Sequence, residues 1–435
     1  MSIKLIAVRL PAARPFPMLV RVQWLGYCAL VAVMATYYLT VLLHGAGTGV
    51  DFACFRAAAI LFTHGGNPYD AMQLWRTENA LYNVPGHLQP GSPTYYYLDR
   101  YYNPPFFHAL LVPLARLSFA QGYAIYSALV VALAVIGTWL TLHALGWTRR
   151  RAPVVVIVLL SPCFFLAVRN GQQSTLALCA LGAALYALRR ERPALAGALL
   201  AISWVKPHLL VPVALIAPLL LGSPRAMLRW YGGFFVATAC GVALTILLAG
   251  AGSIGAWLGL LLHYSNSVDQ LHTYLPSLSG ASLVLLPHPW NRLVSTILVL
   301  AGVGVMAAIV VHARRIGGAP WPAIGLLVAT WLLFTPYAHV NDDVLLLLPL
   351  AVAWGVNGGD GLRITPLLAL WALSTLPLAF LLPRPWDLLG VLPVALVFVA
   401  CGLVNARACD KSMITAGSLP LHTAMPMGVG AAGGG

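Results

Sequence analysis

Long apolar runs alternate with short polar segments along most of this chain. A membrane-crossing helix needs roughly 20 apolar residues, or somewhat fewer when it is short or buried in a helix bundle. About twelve stretches meet this condition, and the pattern predicts an all-α polytopic membrane protein of about 12–13 transmembrane helices. The stretches are 24–44, 120–143, 152–168, 172–188, 194–206, 208–221, 231–250, 292–312, 321–336, 342–357, 363–382 and 386–406.

Composition supports the membrane class and argues against nucleic acid as a partner. Hydrophobic residues make up 60% of the chain and charged residues 8%, with a mean hydropathy of +0.84, and a water-soluble domain of this size could not bury so much apolar surface. The net charge of +14 comes from short arginine clusters between apolar runs rather than from a basic face interleaved with aromatic residues. The seven cysteines show no CxxC spacing, so neither a disulfide framework nor a zinc site is indicated.

The arginine clusters indicate the topology. Arginine and lysine concentrate in cytoplasmic loops, and four clusters fall on one side of the membrane if the twelve spans alternate, at 149–151, 189–192, 225–229 and 314–315. This assignment predicts that both termini are cytoplasmic. The expected domains are a cytoplasmic N-terminus (1–23), a transmembrane domain (24–406) and a disordered cytoplasmic tail rich in Gly and Ala (407–435).

Two apolar stretches do not fit simple crossings. Residues 104–118 are too short, and a full crossing there would place every later basic loop outside, so we interpret them as a half-penetrating or tilted helix that begins at the outer surface. Lys206-Pro207 interrupts the run 194–221. A break at that depth is tolerated only beside protein or a water-filled cavity.

Most polar residues fall on the external side under this topology. In the first external loop, 45–103, the residue pattern predicts a short amphipathic helix over 51–62 and a turn over 64–70. A second short helix is predicted from the N-cap Asp70 through Tyr82. A second large external loop is expected over 251–291. An active site, if one exists, is therefore expected to face outside.

An ordered set of short motifs on these loops resembles a known enzyme family. The motifs run from Asp51 to the acidic pair Asp342-Asp343 in this order: Asp51, Gly66-Asn67-Pro68-Tyr69, Tyr102-Asn103-Pro104-Pro105, Asn170-Gly171-Gln172, Ala196-Gly197, Lys206-Pro207, Pro336-Tyr337 and Asp342-Asp343. Together they resemble glycosyltransferase family 87, formerly DUF2029, a group of GT-C type membrane enzymes that includes mycobacterial polyprenol-phosphate-mannose-dependent mannosyltransferases. The chain departs from the family pattern in two places: Asn103 stands where the family usually has tyrosine, and Asp342-Asp343 doubles what is often a single acid.

The resemblance implies a GT-C fold and an inverting transfer of a sugar from a polyprenyl-phosphate donor to a lipid-linked or glycan acceptor. Mannose is the favoured sugar, with another hexose or a pentose as the alternative. The reaction is expected at the periplasmic or exterior face of the bacterial cytoplasmic membrane, among membrane lipids, without nucleic acid, cofactor or metal.

The chemistry of this transfer suggests roles for individual residues. A carboxylate must take the proton of the acceptor hydroxyl, and Asp51 after the first span is the predicted catalytic base. The leaving phosphate needs a cation or amide donors, and the predicted phosphate-binding residues are Lys206, Arg56 and Arg169. The predicted substrate-binding residues are Asp70, Tyr69, Tyr102, Asn103, Gln172, Gln173, His208, His339, Asn341, Asp342 and Asp343.

Each role has a structural alternative. Asp51 could end the first helix at the headgroup level, Asp70 could only cap a helix, and Lys206 could extend toward the surface rather than bind phosphate. The acids at 342–343 suit a helix N-terminus, and the glutamines at 172–173 could serve capping and interhelical hydrogen bonds. The sequence leaves each of these alternatives open.

Two other classes of membrane protein are compatible with this hydropathy. A secondary transporter would show two related halves with helices broken at corresponding positions, and no such repeat is present. A lipid-carrier flippase would share the apolar grooves without needing a base at Asp51. Convergence of Asp51, Lys206 and His339 on one outward cavity, beside a groove wide enough for an isoprenoid chain, would favour the transferase. A transporter would instead place its polar residues near the midplane of the membrane.

Overall fold

A computed structural model describes Ala32, Thr36 and residues 49–82, 101–147, 151–262, 277–317 and 320–356. The described part consists of helices joined by turns and short irregular segments, without strands. The predicted spans 24–44, 363–382 and 386–406 and the C-terminal tail lie outside it, apart from Ala32 and Thr36.

We number the described α-helices α1–α15 in chain order. The helices are α1 Val50–Thr63, α2 Ala71–Tyr82, α3 Pro105–Ala115, α4 Phe119–Ala144, α5 Arg151–Leu159, α6 Pro162–Asn170, α7 Ser174–Arg189, α8 Pro193–Leu200, α9 Pro207–Ile216, α10 Pro224–Ala249, α11 Ala251–Leu262, α12 Leu278–Leu285, α13 Trp290–Ile316, α14 Pro320–Phe334 and α15 Leu347–Val356. Three 3-10 helices join them at Ala201–Val205, Ala217–Leu220 and Val340–Leu346.

Three of these helices are long and apolar enough to cross a membrane by themselves, namely α4, α10 and α13. They coincide with the predicted spans 120–143, 231–250 and 292–312, and each is somewhat longer than predicted. The predicted crossing at 152–168 consists instead of two short helices, α5 and α6, separated at Ser161, whose hydroxyl accepts from the Phe164 N–H and so caps α6. The chain is a membrane protein.

The two stretches that did not fit simple crossings, 104–118 and the break at Lys206-Pro207, form a short helix and a non-helical junction. Helix α3 contains 11 residues, and at about 1.5 Å per residue it spans about half of a typical hydrocarbon core. Lys206 has non-helical backbone angles (φ −131°, ψ 74°) between a 3-10 turn and α9. The predicted helix break at Lys206-Pro207 is therefore present.

The loop predicted to be external, 45–103, contains the two predicted helices, α1 and α2. The Asp70 carboxylate accepts hydrogen bonds from the backbone N–H groups of Met72 and Gln73 at 2.9 and 3.1 Å, so Asp70 caps α2. Phe52 and Phe55 of α1 are buried against Tyr126 of α4. The aromatic face of α1 thus packs on the helix bundle rather than on lipid.

The second predicted loop, 251–291, is partly helical, because α11 and α12 lie within it. Residues between these two helices lie outside the described part.

Helices α4 and α7 run parallel and pack closely against each other. A Cβ added at Gly182 would come within 2.4 Å of the Gly137 carbonyl oxygen, so only glycine permits this approach, as in other membrane helix pairs with small residues at the contact. At the C-terminal ends of both helices, the Arg189 guanidinium donates to the Ala144 carbonyl at 2.8 Å. At their N-terminal ends, Tyr123 of α4 donates to the Val168 carbonyl shortly before α7 begins.

This geometry gathers the basic loops at one end of the bundle. Arg151 donates to the Trp147 carbonyl near the C-terminus of α4, beside the Arg189–Ala144 contact. Arg314, at the C-terminus of α13, donates to the Leu219 carbonyl at 2.5 Å, which joins two loops that the positive-inside rule placed on the same side.

Candidate active site

The candidate site lies at the N-terminal ends of α4 and α7, opposite the arginine-rich end. Two glycines bring α1 to this place. Gly49 adopts the left-handed conformation (φ 75°), and its N–H donates to the Arg169 carbonyl at 2.5 Å. Gly171 is also left-handed (φ 77°), and a Cβ there would meet the Phe52 Cβ at 2.7 Å. The start of α1 therefore packs directly on the turn between α6 and α7.

This contact places Asp51 beside Gln172, whose side chain hydrogen-bonds its carboxylate. The Asp51 side chain is partly buried in the first turn of α1. Burial raises the pKa of Asp51 to about 6, although the hydrogen bond from Gln172 and the charge of Lys206 both lower it. An Asp with this pKa is a stronger base than an exposed one and is still ionised at neutral pH.

Lys206 forms the centre of a buried polar cluster, which consists of Lys206, Asp342, Ser174 and Asn341. Its ammonium donates to Asp342 Oδ1 at 2.7 Å and to Ser174 Oγ at 3.1 Å. Ser174 Oγ in turn donates to the same carboxylate oxygen at 2.6 Å. Asn341 Nδ2 donates to Ser174 Oγ at 2.8 Å and to Asp342 Oδ1 at 3.2 Å.

The cluster is almost completely shielded from solvent, with Lys206 7% exposed and Asp342 0% exposed. Burying a cation in this way is costly unless it is paired, and the Asp342 carboxylate supplies the pair. An ammonium has three N–H donors, and two of them have acceptors among the described residues. The third N–H has no acceptor among the described residues.

Three aromatic rings in contact with one another, those of His339, Tyr337 and His208, border the cluster. The Asp342 Oδ2 atom accepts from the His339 backbone N–H at 2.9 Å. The His339 ring packs on Tyr337, with centroids 4.6 Å apart, and Tyr337 packs on His208 at 5.0 Å. The His208 ring lies within electrostatic range of both Lys206 and Asp342. Asp51, Lys206 and His339 therefore belong to one region.

Several predicted site residues have other contacts. The Arg56 guanidinium donates to the Tyr82 hydroxyl at 3.3 Å and to the Leu117 carbonyl at 2.7 Å, neither of which belongs to the cluster. Tyr69 donates to the Asn103 carbonyl at 2.8 Å, and Asp70 caps α2. These contacts favour structural roles for Arg56, Tyr69 and Asp70 in holding α1, α2 and α3 together.

Four other predicted residues have no defined role among the described contacts. The backbone carbonyls of Arg169 and Tyr102 accept hydrogen bonds, from Gly49 and Trp257 respectively. Gln173 is 4% exposed, and its Nε2 has no acceptor among the described residues. Asp343 is buried next to Asp342, with an exposed fraction of 2%.

Sequence reasoning missed Ser174 and did not assign a role to Tyr337. Ser174 follows directly after the Asn170–Gln173 polar run, and this position at the start of a helix beside polar residues was the available signal. Tyr337 belongs to the Pro336-Tyr337 motif on which the resemblance rests, so it was visible as a motif residue but not as a link between two histidines.

A family model decides the class. The model of glycosyltransferase family 87 matches residues 101–336. The chain belongs to glycosyltransferase family 87. This membership makes the protein a membrane glycosyltransferase that acts on a sugar donor and an acceptor. No curated protein matches the chain.

The matched region of the family 87 enzyme includes Gln172, Ser174 and Lys206, whereas Asp51 lies before it and Asp342 after it. The association of Asp51 and Asp342 with the matched residues rests on the contacts described above.

Proposed function

We propose that this family 87 enzyme transfers a sugar, with mannose favoured, from a polyprenyl-phosphate donor to a hydroxyl of a lipid-linked or glycan acceptor, with inversion and with Asp51 as general base. The observation that carries the proposal is the joint placement of a half-buried carboxylate of raised pKa and a buried lysine with one N–H donor to spare. One group suits the acceptor proton, and the other suits an anionic leaving group.

The reaction balances with these two groups. The acceptor oxygen attacks the anomeric carbon, and the bond between this carbon and the phosphate oxygen breaks with its electron pair on the phosphate. The acceptor proton moves to the Asp51 carboxylate. Because the leaving group is a phosphate, no protein acid is required, and the third Lys206 N–H donates to a phosphate oxygen in a charge-assisted hydrogen bond.

Asp342 limits how much positive charge Lys206 presents. The Lys206–Asp342 pair is close to neutral, so Lys206 alone does not attract phosphate as a free cation would. Asp342 keeps the ammonium in place through a charge-assisted hydrogen bond of 2.7 Å, while Ser174 and Asn341 donate to the carboxylate oxygen that faces it. We assign Asp342, Ser174 and Asn341 to positioning Lys206, and Gln172 to positioning Asp51.

The external orientation is supported by the separation of charges along the bundle. Asp51 and the Lys206 cluster lie at the N-terminal ends of α4 and α7, whereas Arg151 and Arg189 lie at the opposite end. Since arginine-rich loops remain in the cytoplasm, the site would open on the periplasmic or outer face of the cytoplasmic membrane. A lipid-linked donor is suited to that face.

The donor class can be tested by labelled-sugar transfer in membranes that contain the protein. The panel comprises polyprenyl-phosphate mannose, other polyprenyl-phosphate hexoses and pentoses, and nucleotide sugars. We expect transfer from at least one polyprenyl-phosphate sugar and none from nucleotide sugars in washed membranes. Transfer from nucleotide sugars in the presence of an inhibitor of polyprenyl-phosphate sugar synthesis would contradict the proposed donor.

A further inference from the structure

A cavity of about 190 Å³ lies beyond the C-terminal end of α1, away from Asp51. The turn that follows α1 and the start of α11 form its two sides, with Asn67 on one and Ser253 on the other. Its volume is more than ten times the roughly 10–15 Å³ that one water needs on this measure. It can therefore hold a group of several heavy atoms.

His108 of α3 lines this cavity and is 1% exposed. Neither ring nitrogen has a hydrogen-bond partner within the described ranges of the chain. Leaving a buried donor and acceptor unpaired is costly. The ring is held between Phe62 and Tyr101, with centroid distances of 4.8 and 5.4 Å, so packing fixes its position in the wall of the cavity.

The lining indicates the chemistry of that ligand. Among the described residues that line the cavity, none is Asp, Glu, Lys or Arg. A phosphate would therefore find no counter-charge there, in contrast to the Lys206 cluster. The Phe62 ring offers an apolar face, and His108, Asn67 and Ser253 offer hydrogen bonds. This combination suits a neutral ring with several hydroxyl groups.

The cavity is too far from the base to hold the reacting sugar. Phe62 follows Asp51 by 11 positions on the same helix, which corresponds to about 16 Å along the helix axis. A group bound in the cavity and a group reacting at Asp51 must therefore be separate parts of one substrate or parts of two substrates.

We propose that this cavity binds a neutral sugar unit of the acceptor, remote from the hydroxyl that reacts. The inference rests on the proposed function, because it takes Asp51 as the place where the acceptor is deprotonated. It assigns to the acceptor at least one carbohydrate unit beyond the reacting one. Binding energy from this remote unit would orient the reacting hydroxyl.

Two glycines of α11 provide a matched pair of variants. Gly252 lines the cavity and Gly255 does not, and an added Cβ would meet no atom within 4 Å at either position. We expect Gly252→Leu to raise KM for a long glycan-bearing acceptor about tenfold with little change in kcat, and Gly255→Leu to leave both unchanged. Equal effects of the two variants would overturn the proposal.

The role of His108 is tested by two replacements of its ring. His108→Phe keeps the aromatic packing but removes the hydrogen bonds, and His108→Gln keeps a donor and an acceptor. We expect the Phe variant to raise KM for the same acceptor about five- to tenfold, and the Gln variant to recover part of this loss. An unchanged KM in the Phe variant would contradict the assignment.

A binding measurement separates this inference from the proposed function. In the purified full chain carrying Ser253→Cys, labelling by a maleimide is followed with and without mannotriose or maltotriose, and labelling of the wild-type cysteines is subtracted. We expect at least one trisaccharide to slow labelling and glycerol at equal concentration to have no effect. No protection by either sugar would overturn the cavity assignment, whereas protection without any transferase activity would overturn only the proposed reaction.

Discussion

The charge of Asp51 should destabilise the folded protein at neutral pH, and its removal should therefore raise stability. Burial raises its pKa from 3.8 to about 6. The difference corresponds to about 3 kcal/mol between the ionised and the neutral form. Asp51→Asn keeps the size of the side chain and its contact with Gln172 while removing the charge.

The sign of the pH dependence follows from the two pKa values. In the unfolded chain Asp51 loses its proton near pH 3.8, and in the folded chain only near pH 6. Between these two pH values Asp51 is ionised in the unfolded chain but still protonated in the folded chain. The stability of the wild type therefore falls as the pH rises from about 4 to about 6. Above about pH 7 the wild type has lost about 3 kcal/mol of folding stability through the ionisation of Asp51, and the Asn variant has lost none of its stability in this way.

Thermal unfolding of the purified protein, followed by tryptophan fluorescence at several pH values, measures this difference. We expect the Asn variant and the wild type to unfold at similar temperatures near pH 4. Their midpoints should separate as pH rises, until the variant is more stable by several degrees at pH 8.

Asp70→Asn is the matched control, because it replaces a carboxylate of the same loop and Asn caps helices as well as Asp does. If the midpoint of Asp51→Asn at pH 8 equals or falls below that of the wild type while Asp70→Asn behaves as the wild type, the charge of Asp51 does not destabilise the fold. Asp51 would then be solvated, or stabilised by a partner outside the described residues.

Three further predictions follow from the site. Lys206→Met leaves Asp342 buried without its cation and should cost about 3–5 kcal/mol in stability. The double variant Lys206→Met with Asp342→Asn should regain much of the unfolding midpoint without regaining sugar transfer. Recovery of transfer in the double variant would rule out a role for Lys206 at the phosphate. The pH profile of kcat/KM should fall on the acid side with an apparent pKa of about 6, and a rate that stays constant down to pH 4.5 would exclude Asp51 as the base. Asp70→Ala should lose about 1 kcal/mol of stability with transfer retained once folded protein is counted, whereas a specific loss of kcat would return Asp70 to the site.

Local features of the fold were predictable from the sequence. The cap at Asp70, the break at Lys206-Pro207 and the long helix α4 each depend on a few neighbouring residues or on one apolar run. The division of the predicted span 152–168 into α5 and α6 was missed, although Ser161-Pro162 is a recognisable helix start because serine caps and proline suits the first turn.

The partners within the site were not predictable in the same way. Lys206 and Asp342 are 136 positions apart in sequence, and Ser174 and Asp342 are 168 apart. Such pairs are created by the packing of α7, α9 and the 3-10 helix Val340–Leu346, which no local pattern specifies. The same limitation affected Arg56, since its residue type suited a phosphate while the packing of α1 directs it to Tyr82 and Leu117.

The role of Asp51 as general base is tested by sugar transfer in a single turnover. Purified wild-type protein and Asp51→Asn, reconstituted in vesicles with labelled polyprenyl-phosphate mannose and an acceptor extract, are compared at pH 8, where both are folded. We expect transfer by the wild type and a loss of about 100-fold or more in the variant, with donor binding unchanged. Transfer by Asp51→Asn at the wild-type rate would contradict this role and assign the base to another residue.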